Sequence, residues 1–375
     1  MKIFWSTILC FVGLSISAQD FENLSFGTDS TLDVVTWNIE WFPKNGQTTI
    51  EYVAEIIQAI DADIYALQEI GDVNDLLNMT DNINGYEALV TGTWETALAY
   101  LIKSSTISVD DDFSIYESYS REFPREPYVL EFHYLGIPFA LINNHLKCCG
   151  DGTIDDDDLW DEETRRRDAC ILLQEFMEDE YDGTRAMMVG DLNDILTDNE
   201  ENNVFIPFLN NSDYLFADQY ISQGSEDEWS FPNWPSHLDH LLLTDEVVVD
   251  WQAADEYTET IQIEDHMGGW WYYDNNVSDH RPVGVRLFPD PSSVHISESQ
   301  PMTLELFPNP SSGEITLRNI KSESAIRIYN SLGKLIWQGS SDGSNNSIYL
   351  DVIPGIYLVI VEHFSSTMKN LFIIE

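Results

Sequence analysis

The sequence predicts an α/β catalytic body followed by a small all-β module, and three observations carry that expectation. Apolar, β-branched runs of strand length recur, the first two separated by a helical stretch. Several of these runs end in Asp, Glu, Asn or His, so polar groups collect at strand ends. From Leu304 onward the pattern changes to short alternating runs broken by Asn309-Pro310, Ser312-Gly313, Leu332-Gly333 and Pro354-Gly355.

The 375 residues are 43% hydrophobic and 12% aromatic, which excludes a disordered chain and suits one large core plus a smaller one. Lys2, the apolar run Ile3 to Ile16 and Ser17-Ala18 read as a secretory signal peptide cut after Ala18. That run is too short to remain as a span, and no other segment is apolar enough, so no stable membrane insertion is expected. Cleavage removes Cys10 and leaves Cys148, Cys149 and Cys170. In an exported protein this odd count allows one disulfide, from Cys170 to either adjacent cysteine, and one spare thiol.

The net charge of -49 is unevenly placed: from Pro301 onward there are 5 Lys+Arg and 7 Asp+Glu, and before it 12 and 59. Such a surface repels polyanions over a Debye length and reads as solubility or adaptation to salt. A phosphate-bearing substrate then needs a local cationic patch, a divalent metal, or both.

In chain order, Leu32 to Trp37 is an apolar strand whose end, Asn38-Ile39-Glu40-Trp41, puts Asn38 and Glu40 on one side. A helix around Ile50 to Ile60 leads to a second buried strand, Asp63 to Glu69, which brings Glu69 beside them. Hard divalent cations take oxygen ligands of this kind. Strands follow at Glu95 to Ile102, Arg125 to Phe132 and Ile137 to Ile142; the last ends in Asn143-Asn144-His145-Leu146-Lys147, with His145 and Lys147 on one side. Asp155 to Glu163 reads as a solvated acidic loop, with calcium binding as the alternative. Thr164 opens a helix to about Glu180, and its Arg165, Arg166 and Arg167 form the one basic cluster, the best phosphate-attracting patch.

Met187 to Val189 is a buried run ended by Gly190, after which Asp191 and Asn193 share one direction and Leu192 points back to the core. A carboxylate that can orient water and an amide that can donate to an oxyanion thus share one rim. An aromatic loop, Trp229 to Pro235, precedes His237 to Leu243; Gly268 to Tyr273 forms another, and Ser278-Asp279-His280-Arg281 leads into a strand ending at Leu287. Exposed aromatics there suit base stacking or lipid contact. Singly, each cluster could be a solvated strand end or a core histidine; their number on one rim favours chemistry.

The ordered set TWNIEW, LQEI, REPYVLEF, NNHLK, GDLND, HLDHLL and SDHRPV, from Asp33 to Leu287, resembles the endonuclease/exonuclease/phosphatase superfamily, in its deoxyribonuclease I-like, secreted bacterial nuclease branch. The resemblance implies a four-layer α/β/β/α sandwich that cleaves phosphate esters with Mg²⁺ or Mn²⁺. It implies metal ligation by Glu69 with Asn38, Glu40 and Asp279, and water activation by Asp191 with Asn193 holding water and phosphate. His280 would donate to the phosphoryl oxygens with its tautomer fixed by Asp239, and His145 would protonate the leaving oxygen, paired with Glu95. Arg125 would contact phosphate; apart from the resemblance, Lys147 beside His145 and Arg165 of the basic cluster are expected as further substrate contacts. Lys147 and the cysteine pair depart from deoxyribonuclease I itself.

The wording LFPNPSSGEITL, IRIYNSLGKLI and PGIYLVIVE resembles a type IX secretion sorting domain, implying passage through the outer membrane with that machinery as partner. The expected organisation is a leader at 1–18, a catalytic domain at 19–288, a Pro/Ser-rich linker at 289–302 and the sorting domain at 303–375, acting as a monomer. The expected function is a secreted phosphodiesterase acting on DNA, or RNA. A sphingomyelinase-like phospholipase C shares every core residue, and an adhesin on an inactive scaffold is the non-enzymatic rival.

Overall fold

The first strand shows why the body must be layered. Along Leu32–Phe42 (β1), Leu32 and Val34 enter one apolar cluster while Val35, Trp37 and Ile39 enter another, so both faces are covered. A strand buried on both faces needs a packed layer on each side. In the computed structural model, residues 21–92, 97–290, 304–318, 320, 324–341, 345–363 and 366–375 are described. The leader 1–18, Glu95 and all of the linker 289–302 but its first two residues lie outside the described residues.

The chain divides into two units, Met1–Val294 and His295–Glu375. In the first, β1 is followed by β2 (Ile64–Ile70), β3 (Tyr86–Val90), β4 (Ala97–Lys103), β5 (Ile107–Ser114) and β6 (Tyr128–Tyr134). Then come β7 (Ile137–His145), β8 (Ala186–Asp191), β9 (Tyr214–Phe216), β10 (Asp239–Thr244), β11 (Thr258–Thr260) and β12 (Val283–Leu287). They form two six-stranded sheets, ordered β11-β12-β1-β2-β4-β3 and β5-β6-β7-β8-β10-β9. Leu32, Ile64, Tyr100 and Val285 from the first sheet meet Leu130, Leu141, Val189 and Leu241 from the second in one apolar cluster.

Outside the first sheet, α1 (Gln47–Ile60) buries Val53, Ile56, Ile57 and Ile60, and α2 (Val73–Thr80) buries Leu76 and Met79, against Trp37, Tyr65 and Leu67. Outside the second, α3 (Glu162–Tyr181) packs Ala169, Cys170, Leu173 and Phe176 on Val129, Ile142 and Met188. This is the α/β/β/α order. The acidic N-termini of the last two helices are favourable for a simple reason: Asp72 accepts from the Asn74 and Asp75 amides and Asp161 from Thr164 N, closing open backbone donors.

Two details shape the rim. Gly190 has φ 139°, and a Cβ there would collide with the Asn144 carbonyl, so glycine lets β7 and β8 approach where both strands end. Glu40, Trp41 and Glu69 have φ of 34°, 51° and 61°, left-handed values that break the β1–β2 register between Asn38 and Phe42. Backbone of this kind costs energy and turns side chains off the strand's own alternation.

In the second unit, β13 (Glu305–Phe307), β14 (Glu314–Arg318) and β17 (Asn345–Tyr349) form one sheet, and β16 (Leu335–Ser340), β15 (Ala325–Asn330), β18 (Gly355–His363) and β19 (Ser366–Ile374) another. Ile315, Leu317 and Ile348 from one sheet share a core with Ile328, Val359 and Phe372 from the other. This is a small all-β sandwich.

Candidate active site

Register assembles half of the site. On adjacent strands, His145 of β7 pairs with Asp191 of β8, and Asp191 pairs with Asp239 of β10. All three share parity with the residues between the sheets, so their side chains emerge where the two sheets part. Across the gap, Asn38 of β1 donates from Nδ2 to Asp191 Oδ2 at 3.0 Å. Asn193 reaches the same rim, but not by strand alternation. Its φ is 54°, its N–H donates to Asp191 Oδ1 at 3.1 Å and its Nδ2 to the Leu146 carbonyl at 3.3 Å, so a turn aims it. Leu192 is buried.

His280 lies just ahead of β12 and reaches the second sheet's rim across the gap. Its Nδ1 donates to Asp239 Oδ2 at 2.7 Å and its Nε2 stands 3.8 Å from Asp191 Oδ2. Burial works against its charge, yet Asp239 and Asp191 hold it up to about 10, so it is an imidazolium at neutral pH. His145 is the opposite case: burial, then Arg125 and His280, push it well below the usual histidine value. Its Nε2 lies 3.4 Å from Asp191 Oδ2 and 3.8 Å from Glu69 Oε1, and its Nδ1 is buried without a partner among the described residues. The expected partner Glu95 is not described.

The carboxylates are crowded. Burial, with Asp239 and Glu69 nearby, raises Asp191 to about 6 despite His280. Burial and the neighbouring Glu40 raise Asp279 to about 7. Glu40 Oε2 is paired with Lys44 and accepts from Asp279 N at 2.8 Å. Glu69 Oε2 accepts from Trp41 N at 3.2 Å, leaving Oε1 towards His145. Buried carboxylates crowded in this way could hold a divalent cation, and their hard oxygen donors suit Mg²⁺ or Mn²⁺. Among the described residues, the tight sets whose ligand atoms lie within 4.8 Å are Asp191–Asp239–His280, Asp218–His237–His240 and Asp161–Glu162–Glu163. Glu40, Glu69 and Asp279 are more widely spaced than these.

The cleft, about 760 Å³, is lined by Glu40, Glu69, Arg125, His145, Asp191, Asn193, Asp279 and His280 together with Trp41, Trp229, Phe231 and Trp234. Lys147 and Arg165 are not among its lining residues. Lys147 Nζ donates to its neighbour's carbonyl on Cys148 and reaches Glu162 at 3.6 Å. Arg165 is buried, donates to the Arg121 carbonyl at 2.5 Å and stacks 5.7 Å over Trp160. Arg167 pairs with Asp156. Arg166 does line the cleft, but its guanidinium is occupied by Asp194, Glu163 and the Lys147 and Cys149 carbonyls. The basic cluster is therefore structural, because the surrounding acidic chain and free carbonyls claim its donors.

The expected disulfide to Cys170 is also absent. Cys148, Cys149 and Cys170, the cysteines among the described residues, are free; Cys170 lies in the α3 core, while Cys148 and Cys149 line the cleft. In the acidic loop, Asp161 caps α3 and Glu163 accepts from Gly152 N, so these oxygens serve the fold. Trp270 and Trp271 begin a helix, Trp270–Asn276, rather than forming a cleft loop.

Several contributors escaped sequence reasoning. Ser278 Oγ donates to the Asn38 carbonyl and accepts from His280 N, Tyr273 Oη donates to the His280 carbonyl, and Ser230 Oγ accepts from Asp239 N. Phe231 packs its ring 4.7 Å from that of His280. A serine two residues before a motif histidine is the only one of these with a local signal.

Two facing sheets whose registered strand ends carry carboxylates, amides and imidazoles define a phosphoesterase fold. Residues 35–280 match the model of the Endonuclease/Exonuclease/phosphatase family, and the chain belongs to that family, whose members are hydrolases acting on phosphoester bonds. Residues 305–375 match a secretion system C-terminal sorting domain, which indicates export to the surface or medium. Among solved structures, D. rerio TDP2 complexed with single strand DNA product is 12% identical, with TM-score 0.51, covering 69% of this chain and 99% of that one. C. elegans TDP2 is 17% identical (TM-score 0.50, 70% and 78% covered), and the human Nocturnin catalytic domain with bound sulfate anion is 14% identical (TM-score 0.50, 68% and 93%). At these identities the likeness is one of fold. None of the curated proteins compared matches the sequence. No helix among the described residues is long and apolar enough to cross a membrane.

Proposed function

We propose that the protein is an exported, divalent-metal-dependent phosphodiesterase that hydrolyses DNA, its leader 1–18 removed after Ala18. One observation carries the chemistry: Asp191 and His280 share a cleft end, the first a carboxylate raised to about 6 and the second an imidazolium held up to about 10. Environments that push two titratable groups apart assign the base and the cation. Asp191, fixed by Asn38 and the Asn193 amide, accepts the proton of the attacking water, and the Asn193 side chain helps hold that water. His280 Nε2–H donates to a phosphoryl oxygen, while Asp239 fixes its tautomer and charge.

His145 enters as a neutral imidazole. An anionic phosphate beside it favours its protonated form, and that form can hand a proton to the leaving oxygen. Glu69 and Asp279, with Asn38 and Glu40, would hold the metal, whose charge would stabilise the phosphoryl oxygens as negative charge builds on them. Arg125 lines the cleft with only long donations, at 3.3 and 3.5 Å, to the Leu146 and His145 carbonyls, so it can turn to a phosphate.

Trp41 and Trp234, 54% and 80% exposed on the cleft wall, offer faces on which bases stack. The same two residues favour a second reading, a sphingomyelinase-like phospholipase C whose tryptophans enter the lipid interface. The test offers the purified protein plasmid DNA and sphingomyelin vesicles side by side, with Mg²⁺ or EDTA. Plasmid nicking lost in EDTA supports the nuclease; phosphocholine release with intact plasmid assigns the site to lipid.

A further inference from the structure

The turn after β7 holds two adjacent sulfurs in a frame that leaves them facing each other. Cys149 Sγ lies 3.0 Å from Cys148 Sγ, against about 2.05 Å for a bonded pair. Cys149 has φ 72° and Gly150 φ 113°, both outside the ordinary right-handed range, so the chain turns at the second cysteine. The frame around it is closed at every step. Leu146 N donates to the Asp191 carbonyl at 3.0 Å, Arg166 Nη1 donates to the Lys147 and Cys149 carbonyls at 2.7 and 2.8 Å, and Gly152 N donates to Glu163 Oε1 at 2.7 Å. Lys147 Nζ caps the Cys148 carbonyl at 2.8 Å. Cys170, the one other cysteine among the described residues, is sealed in the α3 core and cannot compete for either sulfur.

We infer that Cys148 and Cys149 close a vicinal disulfide in the exported protein, a redox-labile ring in the cleft wall that clamps the segment following His145. Export exposes the pair to an oxidising compartment, where disulfides form and persist. The oxidant is a protein or small-molecule disulfide. The exposed Cys149 thiolate attacks one of its sulfurs, forming a mixed disulfide and releasing one thiolate. Cys148, deprotonated, then attacks Cys149 Sγ, closing the ring and releasing the second thiolate. Two protons and two electrons leave the cysteines, and the oxidant's disulfide becomes two thiols. Because one peptide unit holds the two Cα atoms about 3.8 Å apart, below the usual disulfide range, the ring is readily reduced.

The test requires no turnover, so its outcome is independent of the substrate reading. The full chain, exported into an oxidising compartment and purified without reductant, is denatured, alkylated with iodoacetamide and digested with trypsin. The peptide 148–165 carries both cysteines. It is expected two hydrogen masses lighter than the dithiol and unalkylated until reduced. Two alkylated cysteines before reduction, or either one joined to Cys170 or to a second chain, would overturn the proposal. In the native protein, a phosphine reductant should speed amide hydrogen exchange across residues 146–152 several-fold, and the double variant Cys148→Ser, Cys149→Ser should exchange fast with or without it. Unchanged exchange on reduction of a bonded pair would overturn the clamp.

Discussion

Asp239 and His240 are neighbours on β10, yet they belong to two carboxylate–imidazole clusters with opposite electrostatics. His240 points to the other face of the sheet, against Phe205 and Phe216, where its Nδ1 meets Asp218 Oδ2 at 2.6 Å and its Nε2 the Asp194 carbonyl at 2.9 Å. His237 Nε2 lies 3.2 Å from the same carboxylate, and Leu241 N donates to its other oxygen at 2.8 Å. Burial opposes the charge of Asp218, but His240 and His237 outweigh it and hold the carboxyl well below its usual range. On the other face, one imidazolium, His280, answers Asp191, Asp239 and Asp279, and two of those carboxyls sit high. Two imidazoles around one carboxylate make a sealed strut. One imidazolium among several carboxylates leaves a net negative cleft end, a demand that a divalent cation can meet.

The largest expected difference is in chemistry. His280→Ala should lower turnover of a soluble phosphodiester by about 10²–10⁴-fold, the scale of a positioned acid–base group. A loss below tenfold would move the cation's role elsewhere. His240→Ala should instead act on stability, costing about 3–5 kcal/mol in urea unfolding because it strips a buried carboxylate of its nearest imidazole. Turnover per folded molecule should stay within a few-fold; a collapse of turnover with normal stability would erase the contrast between the clusters.

Metal should distinguish the two clusters next. Mg²⁺ or Mn²⁺ at about 100 times its Kd should stabilise the catalytic unit by about 2.7 kcal/mol. In thermal unfolding, Glu69→Gln should remove most of that gain, and EDTA should abolish turnover. A gain that survives Glu69→Gln but vanishes in a His237 variant would locate the ion in the other cluster.

The smallest effect is a matter of pH. Asp279, raised from 3.8 to about 7, binds its proton more tightly folded than unfolded, so in EDTA stability falls as pH rises through that window. Asp279→Asn should therefore stabilise the metal-free protein by an amount that grows from about pH 4 to about pH 7 and then levels off. Asp218, lowered, has the opposite sign: its contribution is present above the ordinary carboxylate value and is lost as pH falls through its depressed folded value. A Asp218→Asn variant that gained stability at neutral pH would contradict the strut.

Much of the site was legible because a buried strand announces both its length and its end. The runs before Asn38, Glu69, His145 and Asp191 are apolar and followed by turn residues, so alternation placed their polar ends on one rim. The departures each have a local cause. A cation near a rim attracts anions, which is what Lys147 and Arg165 suggest in sequence, yet in the fold carbonyls and carboxylates take their donors. Burial in the α3 core keeps Cys170 from the partner its spacing suggests. Trp270 and Trp271 read as a loop because of Gly268-Gly269, whereas those glycines only end one short helix and start the next.

By itself the sequence determined the α/β body, the all-β tail and the order of the polar strand ends, since period and turn chemistry are local properties of the chain. Tertiary structure decided which of those ends share a carboxylate, which histidine carries charge and which cations remain free. Those depend on register across strands, on left-handed residues such as Glu69 and Asn193, and on burial, all of which arise only when segments distant in sequence pack together.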